Sequence, residues 1–393
     1  MGKTVYLDYS AGQPTDKRVV EAMLPYFTED YGNPSSLHTC GGPVRAGVEK
    51  AREQVAKLIG APDPKFVIFT SGATESNNLA IKGLAHKRAS KGKHIITSIA
   101  EHMSILSVCK ALEKEGFTVI YLPIDKEAFV PVEAIEKAMR EDTILVTLGY
   151  ANSEVGTIQD IKAIGELCSR KKVALHVDAV QAAGRVPIEV KAEHIDLLSL
   201  SSNDLYGPKG AGALYVGKGI DLVPLLDGGG QERKLRSGTE NVPGIVGMGK
   251  AAEIALAEMP AESKRLRALR DRLIDSVLKS IPVSHLNGHR TKRLPQNANM
   301  RFSYIEGEAL ILNLDMVGIF TSTSSACTSK TLEPSHVLRA MGIPHEEAHS
   351  ALLLNLGRWS TDDDVDLMLK ELPEIVKRLR EMSPLTPPGL YKS

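Results

Sequence analysis

Polar and small residues that could bind an anion or a charged ring fall at the ends of strand-like runs. Residues 71–75 (SGATE) follow the run 65–70 and open a helical run, so backbone N–H groups and the Thr74 hydroxyl could bind an anion. An ordinary strand-to-helix turn with an N-cap would show the same pattern. Asp178 ends another apolar run, and a buried carboxylate there needs a cationic partner or a turn to cap. Gln181, three residues later, could donate to a ring oxygen.

Two further residues are candidates for catalysis. His102 follows Glu101 at the end of a strand-like run, although a lone histidine is more often structural. Cys327 lies in residues 321–329 (TSTSSACTS), where small polar neighbours favour either an exposed reactive thiol or an unreactive surface cysteine. Residues 228–241 (GGGQERKLRSGTEN) are glycine-rich and cationic, and they could close a phosphate site or form a plain loop.

Composition and charge exclude several classes of protein. Lysine plus arginine balances aspartate plus glutamate at 48 each, so no net charge would recruit nucleic acid or an acidic membrane. Apolar runs are shorter than the roughly 18 to 20 residues that span a bilayer, and the N-terminus lacks the apolar core of a signal peptide. We therefore expect a cytoplasmic protein that binds neither nucleic acid nor membrane.

The cysteines also bear on the kind of site to expect. They are widely separated, at Cys40, Cys109, Cys168 and Cys327. Without a CxxC or Cys/His cluster, we expect no self-contained zinc or iron–sulfur site. Structural disulfides are not expected in a reducing compartment.

The elements that must position these residues alternate between strand and helix from about residue 17 to 250. Apolar, β-branched runs occur at 65–70, 94–98, 118–122, 143–148, 173–177, 196–200 and 211–216. This alternation predicts an α/β fold with a mostly parallel seven-stranded sheet between helices. Ligands in such sheets bind beyond the carboxyl ends of the strands, where the candidate residues fall.

A smaller α+β domain is predicted after a long charged helical stretch at 247–281. Its strands are expected near 297–302 and 351–356, and its helices near 308–315, 336–341 and 362–382. We assign 15–260 to the large domain, and 1–14 with 261–393 to the small domain that carries Cys327.

The motifs, taken in order, resemble those of the NifS/IscS-type cysteine desulfurases, which have the class V aminotransferase-like fold. The matching motifs cover essentially the whole chain: LDYSAGQP, GNPSS, FTSGATESNN, EH, VDAVQ, YGPKGAGALYV, GGGQERKLRSGTENV, SSACTSKTLEPSHVLRAMG and LGRWST. The resemblance implies fold type I of the pyridoxal-phosphate (PLP) transferases and a PLP-dependent homodimer.

The resemblance also implies which residues bind the cofactor. Ala73 and Thr74 would hold its phosphate, with Ser201 in the same phosphate-binding stretch. Asp178 would pair with the pyridinium nitrogen, and Gln181 would contact the ring hydroxyl.

Three more roles follow from the same resemblance. His102 would stack on the ring as a catalytic residue, and Thr239 would reach the phosphate bound by the neighbouring subunit. Cys327, on a mobile loop, would take sulfur from cysteine as a persulfide and pass it on.

Four positions depart from the family pattern. SxHKxYGPKG reads SSNDLYGPKG at 201–210, so Asn203 replaces a histidine and Asp204 replaces the Schiff-base lysine. A carboxylate cannot form an imine, and Lys209 belongs to the usual GPKG pattern. Ser153 replaces an asparagine that contacts the ring.

The fourth departure concerns the substrate. Leu353 replaces the arginine that clamps the substrate carboxylate, and losing a bidentate pair of this kind is costly.

These departures lead to two hypotheses. In the favoured one, the chain is an IscS-like protein of iron–sulfur cluster biogenesis with impaired PLP chemistry. Cys327 would then accept sulfur, or ligate a transient iron–sulfur cluster, toward an IscU-type scaffold protein. In the alternative, the chain is an active PLP-dependent desulfurase that converts L-cysteine to L-alanine plus an enzyme persulfide and binds PLP without a covalent link.

Overall fold

A computed structural model describes residues 4–323 and 333–390. Its strands are β1 (Val5–Tyr6), β2 (Val67–Thr70), β3 (His94–Ser98), β4 (Thr118–Leu122), β5 (Thr143–Gly149), β6 (Ala174–Asp178), β7 (Leu197–Ser201), β8 (Gly212–Val216), β9 (Ser284–Leu286), β10 (Asn297–Phe302), β11 (Ile319–Phe320) and β12 (Ala351–Asn355).

The helices cover much of the remaining chain. They are α1 (Lys17–Met23), α2 (Pro25–Thr28), α3 (Gly41–Leu58), α4 (Ala73–Arg88), α5 (Met103–Lys114), α6 (Val132–Ala138), α7 (Ile161–Lys171), α8 (Val242–Ser280), α9 (Gly307–Met316), α10 (His336–Ala340), α11 (His345–His349) and α12 (Asp362–Met382). Short 3-10 helices occur at Pro64–Phe66, Asn203–Leu205 and Glu232–Lys234.

The large sheet has seven strands in the order β2-β8-β7-β6-β5-β3-β4. Only β8 runs antiparallel to its neighbours, β2 and β7, so the predicted mostly parallel α/β sheet is confirmed. The link 202–211 between β7 and β8 explains this exception, because a parallel pair needs a crossover of about a dozen residues or more.

Helices cover both faces of this sheet. On one face, α4 and α5 pack Leu79, Leu84 and Ile105 into an apolar cluster. On the other face, α3 and α7 contribute Val48 and Ile164, among others, to a second and larger cluster. Strands β3, β7 and β8 are therefore buried along nearly their whole length, as their apolar sequences require.

A second, smaller sheet has the antiparallel order β12-β10-β9. The start of the chain packs beside it, because β1 pairs with β11 and Leu7 enters the same apolar cluster. Helices α9 and α12 contribute Leu310 and Leu372 to that cluster.

Helix α8 contributes to both apolar clusters. Its first half packs Met248 into the core of the large sheet, and its second half packs Leu273 into the core of the small sheet. The predicted domain boundary falls at Pro260, inside this helix, and the division stays a prediction. Across the described residues, every helix is too short or too polar to cross a membrane.

Candidate functional site

A cavity of about 500 Å³ lies beyond the carboxyl ends of strands β3, β5, β6 and β7. Each of these strands contributes its last residue to the cavity wall: Ser98, Gly149, Asp178 and Ser201. The carboxyl ends of parallel strands lie along one edge of a sheet, so motifs that are distant along the chain line the same cavity. Of the site residues predicted from the sequence, the wall includes Ala73, Thr74, His102, Asp178, Gln181 and Ser201.

The N-terminus of helix α4 forms one end of the cavity. Gly72 caps this 16-residue helix with φ 152°, a conformation that side chains with a Cβ rarely adopt. A Cβ at Gly212 would lie 2.5 Å from the Cα of Gly72, so β8 approaches the turn closely. The first N–H groups of a helix lack intrahelical acceptors, and the dipole favours an anion there. This end can therefore hold a phosphate.

Asp178 is held in a fixed orientation in the cavity wall. Its carboxylate accepts from the Asn77 side-chain amide at 2.8 Å and from the Val180 N–H at 3.1 Å. The same Asn77 nitrogen donates to the Ser104 hydroxyl at 2.8 Å. A half-buried carboxylate oriented in this way suits a cationic ring nitrogen.

His102 is the N-cap of helix α5. Its Nδ1 accepts from the Ser104 N–H at 3.1 Å and lies 2.8 Å from the Ser104 hydroxyl. The cap holds an otherwise exposed ring at the cavity wall. A ring placed in this way can stack on a planar ligand.

Asp204 lies in the short 3-10 helix that follows β7, and it also lines the cavity. The residue is 8% exposed. Burial raises the pKa of its carboxyl to about 6, against the lowering effect of the Ser201 hydroxyl and the Arg185 guanidinium. The Gln181 side-chain amide donates to Oδ1 of Asp204 at 3.1 Å.

Among the described residues of the cavity wall, His102 is the one basic side chain. Among the residues that the structure describes, neither a lysine nor an arginine lines it, whereas Glu75, Glu101, Asp178 and Asp204 do. Lys209 is exposed and donates to the Gln13 carbonyl at 3.1 Å, so it does not take the place of the missing lysine.

Sequence reasoning missed two residues of this site, Glu101 and Asn77. Glu101 accepts from the Ser98 hydroxyl and from the Gly149 N–H, both at 2.7 Å, and burial raises its pKa to about 7. Its position in the short turn between β3 and α5 was the available signal. Asn77 lies one helical turn after Ala73, a spacing that places both near the same end of α4.

Ser153 and Leu353, two of the predicted departures from the family pattern, lie in different parts of the structure. Ser153 lines the cavity, as expected for a ring contact. Leu353 is 5% exposed and is not part of the described cavity wall. Its neighbours Leu352 and Leu354 point into the core of the small sheet, so Leu353 points to the opposite face.

Two predicted residues remain, Thr239 and Cys327. Thr239 is exposed and lies outside the cavity of this single chain. Cys327 lies outside the described residues. After that gap, Ser335 caps α10 and donates to the Glu154 carboxylate, and His336 Nε2 lies 3.1 Å from the Glu101 carbonyl.

Comparison with known proteins agrees with this architecture. The sequence profile of the family Aminotransferase class-V matches residues 5–368. The chain belongs to this family. It is 56% identical to "Cysteine desulfurase IscS 1" of Archaeoglobus fulgidus over 382 residues, which cover 97% of this chain and 99% of that protein.

Further relatives within the class-V family point the same way. The chain is 55% identical to "Cysteine desulfurase IscS" of Methanosarcina thermophila, covering 98% of this chain and 95% of the relative. A solved structure named "NIFS-LIKE PROTEIN" superposes with a TM-score of 0.90 at 38% identity, covering 96% of this chain and all of that one (100%). The chain is therefore an IscS/NifS-like member of the class-V family.

Class-V membership implies PLP as the cofactor, and the cavity fits only part of it. The α4 N-terminus suits the phosphate, and the oriented Asp178 carboxylate suits the pyridinium nitrogen. The Asp204 side chain in the wall cannot form an imine, and the family resemblance assigns the Schiff-base lysine to this position. When bound, PLP would act as an electron sink for a compound attached to it through an amino group.

Proposed function

We propose that this chain serves iron–sulfur cluster biogenesis through Cys327, with the family's cysteine-to-alanine chemistry impaired. One observation carries the proposal: Asp204, at the position where the resemblance expects the Schiff-base lysine, is a buried carboxylate that lines the cavity. A carboxylate cannot form an imine, and no described lysine or arginine of the wall replaces the lost amine.

The thiol of Cys327 would act toward an IscU-type scaffold protein. As a thiolate it would ligate the iron of a nascent cluster, which is the cargo of the reaction, or accept sulfane sulfur from a persulfide donor. Ligation leaves the oxidation state of sulfur unchanged. Transfer from a persulfide moves one neutral sulfur atom between two thiolates and needs no added oxidant.

Described residues on either side of positions 324–332 contact the small sheet and the cavity wall. On one side, Ser322 and Leu353 exchange backbone hydrogen bonds of 2.8 and 3.5 Å. On the other side, His336 contacts the carbonyl of Glu101, which lines the cavity. The described residues that flank the Cys327 segment are thus attached to the small sheet and to the cavity rim.

Cluster assembly on a scaffold tests the proposal directly. The full chain, a purified IscU-type scaffold, iron and sulfide are mixed without oxygen, and cluster absorbance is followed through size-exclusion chromatography. We expect a complex that retains its cluster, and a loss of at least tenfold in retained cluster for Cys327→Ala. Cys40→Ala is the matched control because Cys40 is the exposed cysteine of the described residues.

Two results would overturn the proposal. One is the absence of any complex with the scaffold. The other is that both variants, Cys327→Ala and Cys40→Ala, retain the cluster fully.

A second candidate function is an active PLP-dependent cysteine desulfurase that binds PLP without a covalent link. The observation in its favour is that Thr74, Asp178 and Gln181 all line the same cavity. The absorbance spectrum of the pure protein and sulfide release from L-cysteine test it. Neither a PLP band nor sulfide release is expected under the first proposal, and strong sulfide release would favour the second.

A further inference from the structure

Where the cofactor's reactive carbon would lie, this cavity has an acidic side chain, whereas the family pattern has a basic one. A lysine there offers an amine to an aldehyde, whereas Asp204 offers a carboxylate. The chemical complement of a buried carboxylate is an ammonium group on the ligand.

We propose that this cavity prefers the amine form of the cofactor, pyridoxamine 5′-phosphate, with its 4′-ammonium paired to the Asp204 carboxylate. The proposal rests on the loss of lysine chemistry proposed above, but not on any role of Cys327. It assigns Asp204 a binding role that selects the form of the cofactor.

The surroundings of Asp204 leave its charge without a cationic partner on the cavity side. Gln181 donates one neutral hydrogen bond to Oδ1, and the Ser201 and Asn203 side chains also hydrogen-bond to the carboxyl group, so its hydrogen-bond partners are neutral. The nearest guanidinium, Arg185, contacts the backbone carbonyl of Asp204 at 3.5 Å rather than its carboxylate. Arg185 is also paired with Glu262 at 3.4 Å and stacked on the Tyr206 ring at 4.7 Å.

The other charged groups near Asp204 favour a cationic ligand as well. Asp178, at the end of β6, is a second carboxylate of the wall, and its charge acts to raise the pKa of Asp204. The other titratable groups of the described wall are His102, Glu101 and Glu75. An ammonium group on the ligand would reduce the repulsion between the Asp178 and Asp204 carboxylates. An aldehyde would instead place a hydrogen-bond acceptor beside the Asp204 carboxylate, which is itself an acceptor.

Both cofactor forms share the two ends of the site. The α4 N-terminus would hold the phosphate of either form, and Asp178 would pair with the ring nitrogen of either form. The difference between the forms lies at the 4′ substituent, next to residue 204. A charge-assisted hydrogen bond to a buried partner predicts a preference of roughly ten- to a hundredfold for the amine.

Calorimetric titration of the full chain, freed of cofactor, measures this preference. The ligands are pyridoxamine 5′-phosphate, PLP and pyridoxine 5′-phosphate, whose 4′ hydroxyl is neutral and similar in size to the amine. We expect the amine form to bind at least tenfold more tightly than either of the others. Equal affinities, or tighter binding of PLP, would overturn the proposal.

Two variants separate the role of Asp204 from general damage to the site. Asp204→Asn keeps an acceptor for Gln181 but removes the charge, so the preference for the amine should fall to about threefold or less. Asp178→Asn should weaken all three ligands and should reduce the preference for the amine by less than Asp204→Asn does. A preference that survives Asp204→Asn would contradict the assignment.

The pH dependence of the natural protein keeps the proposal testable if Asp204→Asn does not fold. The amine preference should decline as Asp204 is protonated on acidification. The phosphate titrates in all three ligands, so the ratio of their affinities isolates residue 204. A ratio that stays constant down to pH 5 would count against the proposal, while cluster assembly through Cys327 could still succeed.

Discussion

The side-chain amide of Gln181 donates to Oδ1 of Asp204 at 3.1 Å, which joins the turn after β6 to the turn after β7. Family resemblance implied that Gln181 contacts the ring hydroxyl of the cofactor. In this chain one of its donors is used by the carboxylate that replaces the lysine. The replacement is thus built into the hydrogen bonding of the cavity wall.

Asp204→Asn should stabilise the protein in a pH-dependent way. The folded pKa of about 6 lies above the ordinary value of 3.8, so ionisation of Asp204 costs stability as pH rises from about 4 to 6. The variant should gain about 3 kcal/mol in the free energy of unfolding at pH 7.5 and only about 1 kcal/mol at pH 4.5. Urea unfolding at both values measures this, and an equal gain at both would refute the role of charge.

Asp204→Lys should restore covalent attachment of PLP without restoring efficient turnover. The new amine can form an imine, but the family resemblance predicts that Leu353 still stands in place of the arginine clamp and Ser153 in place of the ring contact. Borohydride reduction followed by mass spectrometry detects attachment, and sulfide release measures turnover. Adding Leu353→Arg and Ser153→Asn should raise turnover at least tenfold over the single variant; high turnover from Asp204→Lys alone would show that these two positions matter little.

Glu232→Ala should destabilise the protein strongly. Its carboxylate accepts from both terminal nitrogens of Arg52 at 2.8 Å and from the Phe69 N–H at 2.7 Å. Breaking a buried pair costs about 3–5 kcal/mol, because Arg52 would stay buried without its partner. Glu49→Gln is the control, since Glu49 is an exposed partner of the same arginine and its loss should cost less than about 1 kcal/mol. Similar losses of stability would contradict this difference.

Gly72→Ala should weaken binding of the cofactor phosphate. Its φ of 152° and ψ of 178° lie in a region that only glycine adopts readily, at a cost of about 1–3 kcal/mol for other residues. An added Cβ would meet nothing within 4 Å, so backbone strain rather than crowding is the cause. Gly42→Ala is the control, because it has the same open space inside helix α3 without a positive φ. Calorimetry with inorganic phosphate and with pyridoxamine 5′-phosphate should show loss only for Gly72→Ala.

Several elements could be predicted from the sequence because their signals are local. Apolar β-branched runs placed the seven strands of the large sheet within about two residues of their observed bounds. The antiparallel direction of β8 was not predicted, although the short link 202–211 contained the signal. The four departures were visible because each replaces one residue inside an otherwise intact motif.

Other features depended on neighbours that are distant along the chain. The pKa of Glu101 is raised because its side chain is buried near the ends of β3 and β5. Gly149, whose N–H donates to Glu101 there, is 48 residues away along the chain. The orientation of Leu353 away from the core of the small sheet follows from its pairing register with β10. Neither burial nor register can be derived from the local pattern alone.

Taken by itself, the sequence determined the fold class and the family resemblance, and the resemblance predicts that Asp204 stands in place of the lysine. The tertiary structure alone decided that Asp204 is buried, is bonded to Gln181 and shares one cavity with three other carboxyl groups. The reason is physical: residue types are set by the chain, whereas the electrostatic environment of a side chain is set by which distant segments exclude water around it.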